Sequence, residues 1–110
     1  MSASLESLAT LPGVAGLCAH RGGEITWSRL PDSISMERAA ALCAAVSSAF
    51  ATYAGAGRQL REAWFEFPEF CVLALPGAGT EDAMLTFFLT GRSCAGTVTG
   101  AARSAAPVSV

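Results

Sequence analysis

The chain has no lysine and no asparagine, and its seven basic residues, all arginine, are balanced by nine acidic ones for a formal net charge of -2. No basic field exists that would hold nucleic acid or draw the protein to an anionic membrane surface. There is a single histidine, His20, and the four cysteines, Cys18, Cys43, Cys71 and Cys94, stand far apart without a CxxC pair. Such spacing encodes neither a zinc site nor a disulfide framework, so free buried thiols are expected and no metal or cofactor is. The N-terminal MSASLESLATLPG lacks a basic segment and a long apolar run, which excludes a secretory signal and leads to the expectation of a cytoplasmic protein. A length of 110 residues gives room for one domain with a modest core.

A further absence is local. Residues 39–57, AAALCAAVSSAFATYAGAG, carry no charged side chain. The run is nearly long enough to cross a bilayer, yet its only sizeable apolar groups are Leu42, Cys43, Val46, Phe50 and Tyr53. Alanine, serine, threonine and glycine contribute too little transfer energy, and membrane insertion is not expected. Placed at helical steps, Ala39, Leu42, Cys43, Val46, Ala49, Phe50 and Tyr53 form one stripe, the expected core face. Opposite it lie Glu37, Ala41, Ala44, Ser48, Ala51 and Gly55. Small side chains on an outer face let two helix backbones approach closely, which suits packing against a second copy across a two-fold axis. An idle solvent face, enriched in alanine by a GC-rich coding bias, is the plain alternative.

The remaining elements follow from punctuation. Ser4 and Glu6 begin a short helix over Leu5 to Leu11, which Pro12-Gly13 stops. Val14 to His20 and Glu24 to Leu30 read as the strands of a hairpin around Arg21-Gly22-Gly23. Ser35 caps a long helix starting near Met36, with Glu37 in its first turn, and Gly55 and Gly57 end it. Leu60 to Phe67, Phe70 to Leu75 and Ala83 to Thr90 are three strand-like runs separated by Pro68-Glu69 and by Pro76-Gly77-Ala78-Gly79. The order is αββαβββ, an α+β protein. The domain is expected to span residues 1–95, and residues 96–110, small and polar with Val98 as the one large apolar group before the last few positions, read as a mobile tail.

The run LESLATLPGVAG, with Leu5, Leu8, Leu11, Pro12, Gly13 and Val14, followed by a hairpin bearing RGG, a long alanine-rich helix and three consecutive strands, resembles the roadblock domain. That family comprises dynein light chains and bacterial regulators of Ras-like GTPases, and the resemblance covers about residues 4 to 90. It implies a five-stranded antiparallel sheet with the long second helix on one face and the short first helix on the other. It also implies a dimer that pairs third strands and second helices. A third helix is expected in the family, and GRSCAGTVTGAAR supports one that is weak or absent.

No convergent set of nucleophile, base and electrostatic groups is visible, so no enzyme is expected. His20, beside Arg21 at a strand end, reads as a turn residue rather than a base. Glu62 and Glu66 alternate with Trp64 at a spacing that marks a solvated or interfacial strand face, and PGAGTED lacks the GK[ST] of a phosphate loop. Arg58 and Arg61 precede the third strand and are candidates, with Trp64, for a partner surface; Ala41, Ala44, Ser48, Ala51 and Gly55 are the candidate dimer interface. The resemblance implies a non-enzymatic homodimeric scaffold or regulator binding a small Ras-like GTPase. A small-ligand-sensing module, using the sheet face left open by a weak third helix, is the alternative.

Overall fold

Gly13 adopts φ 87°, the left-handed region open to glycine, and this is what turns the chain from its first helix into its first strand. The helix, α1, is Leu5–Ala9, and the strand, β1, is Val14–Arg21. In this computed structural model residues 5–21, 24–58, 62–68, 70–76, 84–91 and 95–104 are described. The further elements are β2 (Glu24–Arg29), α2 (Met36–Gly55), β3 (Ala63–Glu66), β4 (Cys71–Pro76), β5 (Met84–Leu89) and α3 (Ala95–Ser104).

All strand pairs are antiparallel, and the five strands lie in the order β2-β1-β5-β4-β3. Every residue of β5 is buried, as are Cys71 to Leu75 of β4, whereas the edge strands β2 and β3 are partly exposed. Alternation along β5 sends Leu85, Phe87 and Leu89 to one face and Met84, Thr86 and Phe88 to the other. On the first face they meet Leu5, Leu8 and Ala9 of α1, Leu17 and Ala19 of β1, and Val98 of α3. On the second they meet α2 through Ala39, Cys43 and Val46. The α+β architecture and element order are those expected from the sequence. Gly16 is the one position in β1 where a side chain is crowded out: a Cβ there would sit 3.1 Å from Cδ of Pro31.

The caps of α2 are those its sequence prescribes. Ser35 accepts a hydrogen bond from the Arg38 amide at 3.2 Å. At the far end Gly57, at φ 79°, lets the Arg58 amide donate to the Tyr53 carbonyl at 2.8 Å and its own amide donate to Ala54 at 3.0 Å, a Schellman closure. The stripe from Ala39 to Phe50 faces the sheet as expected, but Tyr53 is 50% exposed, and every residue from Ala51 to Arg58 is open to solvent. The last turn of α2 has nothing to pack against among the described residues.

The third helix is weak rather than absent. Its residues, AGTVTGAARS, are small, and Val98, fully buried, anchors it where α3 rests against α1. Composition argued against a helix here because one valine is little burial for ten residues; contact with the Leu5–Leu8 surface is what sequence counting left out. The third strand is shorter than expected, Ala63–Glu66, and residues 60 and 61 of the longer span lie outside the described residues. Val98→Ala should cost about 1.5 kcal/mol, two buried methyl equivalents at about 0.8 each. Thermal unfolding should therefore show a midpoint lowered by several degrees.

Candidate functional site

The outward stripe of α2 stands as the sequence placed it: Ala41, Ala44, Ser48, Ala51 and Gly55 are all exposed. Around the helix from that stripe, on one flank, Arg38, Ala41, Leu42 and Ala45 border a cleft of about 700 Å³. Its other wall comes from the sheet and its loops, chiefly Phe67, Phe70 and Phe88. The cleft opens at the end of the sheet where β5 finishes and β4 begins, between the first turns of α2 and the rings of Phe67 and Phe70, while further along the helix Val46 still packs on Ala74 of β4. Phe70 stacks at a tilt between Phe67 and Phe88, with ring centroids 5.3 Å and 5.6 Å away, and Phe67 remains 39% exposed. Volume and lining are those of a binding groove, apolar with one cation, Arg38, at the helix end. Sequence reading passed over this flank, because Phe67 and Phe70 belong to a different part of the chain from α2.

The tentative partner surface does not come together as one patch. Arg58 is exposed just past α2, and Arg61 lies outside the described residues. Trp64 projects to the opposite face of the sheet, half-buried against the core shared by α1 and Val98, with its indole Nε1 donating to Oε2 of Glu62 at 3.3 Å. The cleft lies on the α2 face of the sheet, whereas the face expected to serve a ligand-sensing module is packed by α1 and Val98.

His20 is not a turn residue. The hairpin strand β1 runs on to Arg21, which puts the imidazole under α2, wholly buried. Nε2 is hydrogen-bonded to Oγ1 of Thr86 at 2.6 Å, and Nδ1 lies 3.4 Å from Oγ of Ser47 on the helix. Cys43 of α2 and Cys18 of β1 complete the cluster, both wholly buried free thiols as the cysteine spacing led one to expect. The Cys43 thiol is drawn below its ordinary range by a hydrogen bond from Cys18, helped by His20 and Thr86 and opposed by burial. Cys18 is pushed up by that same hydrogen bond and by burial. No group of three or more His, Cys, Asp or Glu able to hold a metal is found among the described residues.

No family model matches the chain, and no curated protein matches it in sequence. Its architecture is nonetheless that of the roadblock/LC7 domain. The gliding protein MglB of Thermus thermophilus superposes with a TM-score of 0.72 at 17% identity, covering 92% of this chain and 78% of that one. A roadblock/LC7 domain from Streptomyces avermitilis gives 0.66 at 12% identity, covering 93% and 91%. MglB from Myxococcus xanthus gives 0.70 at 14% identity, covering 90% and 76%. Identities this low establish a shared fold. No described helix is long and apolar enough to cross a membrane.

The cluster beneath α2 can be tested through its neutral member. Thr86→Val keeps the side-chain shape and strands a buried ring nitrogen of His20, a loss of about 1–3 kcal/mol. Thr90→Val, at an exposed position whose hydroxyl sits 3.4 Å from the Gly13 carbonyl, should change stability by less than about 0.5 kcal/mol. Urea unfolding of the two variants beside the parent protein reads the difference.

Proposed function

We propose that this chain is a non-enzymatic homodimeric scaffold or regulator that binds a small Ras-like GTPase. The observation that carries the dimer is the open apolar cleft on the flank of a helix whose outer face bears no charge beyond Glu37 in its first turn. A second α2 laid alongside the first would cover Phe67 and Phe70 and bring Ala41, Ala44, Ser48, Ala51 and Gly55 near their own copies. Small side chains there permit close approach of the helices. Strand β3 stands at an edge of the described sheet and would extend it across the same two-fold axis. One structure of this fold is described as MglB with a tetrameric arrangement, at a TM-score of 0.71 and 13% identity, which supports assembly as a property of such domains.

The GTPase partner comes from the fold likeness and from the family resemblance, an argument by analogy. Arg58 and Arg61 are the residues we assign to an acidic partner surface, and Trp64 contributes only the part of its ring that the α1 side of the core leaves open. A regulator of this kind should discriminate the partner's nucleotide state, since switch segments reorder with the γ-phosphate. Calorimetric titration against small GTPases of the source organism should give clearly different affinities for the GDP form and the form loaded with a GTP analogue. Equal affinities, or no binding, overturn the reading.

Ala44→Arg and Ser48→Arg each set a long cation into the proposed helix contact, which leaves a charge crowded and unpaired. Light scattering at about tens of micromolar, a common working range for protomer-dependent assembly, should show the parent chain as a dimer and both variants shifted toward monomer. A monomeric parent chain defeats the dimer independently of any GTPase.

A further inference from the structure

Two thiols from different elements meet under α2, and nothing in the dimer or GTPase reading uses them. Cys43 and Cys18 are wholly buried, free, and packed in one cluster, and Ser47, one turn along α2 from Cys43, reaches the ring of His20. In β1, Cys18 and His20 point to the same face, and Cys18 sits directly opposite Thr86 across the β1–β5 pairing. Four side chains from β1, β5 and α2 thus converge at one point. Structural cysteines buried among apolar groups alone are inert, whereas a thiol beside an imidazole and a second thiol has the surroundings of a reactive one.

We propose that Cys43 is an oxidation site for small hydroperoxides, with Cys18 as its resolving thiol and His20 as a positioning residue, so that oxidation staples α2 to β1. The Cys43 thiolate attacks one oxygen of the peroxide, the O–O bond breaks, and the departing hydroxide takes up a proton to become water. Cys43 is left as a sulfenic acid. The Cys18 sulfur then gives up its proton and attacks Cys43 Sγ. The sulfenic hydroxide leaves with that proton as a second water, and the disulfide forms. Two thiols lose two electrons in all, and one hydrogen peroxide becomes two waters. The two thiols share one packed cluster, and the bond forms when the sulfurs close to about 2 Å. Burial sets the access: oxidant and trapping reagents reach the thiols only during local opening of α2, the smallest most readily.

The Thr86 and Ser47 hydroxyls engage both ring nitrogens of His20 and fix the imidazole beneath the part of α2 that carries Cys43. The test uses the reduced full chain treated with hydrogen peroxide, then unfolded, alkylated and weighed. The expected product has lost two hydrogen atoms, yields one peptide linking residues 18 and 43, melts at a higher temperature than the reduced chain, and reverts with dithiothreitol. Cys18→Ser should stop at a Cys43 sulfenic acid captured by dimedone, and Cys43→Ser should abolish the cross-link. In His20→Gln, alkylation of Cys43 by iodoacetamide should shift its pH profile upward, which loss of packing alone would not do. The inference fails if peroxide leaves both thiols free to alkylate after unfolding, if Cys71 or Cys94 is oxidised first, or if the Cys43 sulfenic acid is never captured in Cys18→Ser.

Discussion

Strand β5 is the constraint on which the structure depends. It is hydrogen-bonded on both sides, to β1 and to β4, and all six of its side chains are buried. Both faces of the sheet must therefore be covered at its centre, one by α1 and Val98, the other by α2. A slip of one residue in its register would exchange Phe87 with Phe88 and bring Thr86 to the wrong layer. That slip would leave His20 facing hydrocarbon where it now faces a hydroxyl. Register, core and the polar cluster under α2 are set by the same pairing.

The long helix answers a second demand, with small residues. Ala39, Cys43 and Val46 let it lie close on the sheet, and Ser35 and Gly57 close its ends through side-chain and left-handed caps. Its first turns leave a cleft against Phe67, Phe70 and Phe88 at one end of the sheet, while the strand order puts β3 at an edge. Those are the two features that a second chain or partner would find.

Beneath the same helix the buried polar side chains gather in one place: His20 is held by Thr86 and Ser47, and the Cys18 and Cys43 thiols pack together nearby. Buried polar groups without partners would cost about 1–3 kcal/mol each, and no buried side-chain nitrogen or oxygen among the described residues lacks one. The cluster ties three elements at one point.

By itself the sequence determined the element order, the caps of α2 and the stripe Ala39, Cys43, Val46, because periodicity, Ser35 and Gly57 are local signals read within a few residues. It determined the small outward face of that helix for the same reason. Tertiary structure alone decided the role of His20, since Thr86 lies far along the chain and only strand pairing brings it to the imidazole. It likewise decided α3, whose single valine becomes an anchor only against the leucines of α1, and the cleft, whose walls come from α2 and from the β3–β4 loop. Contacts between distant segments depend on how strands are ordered and where a helix is laid across them, and no local pattern of residues carries that information.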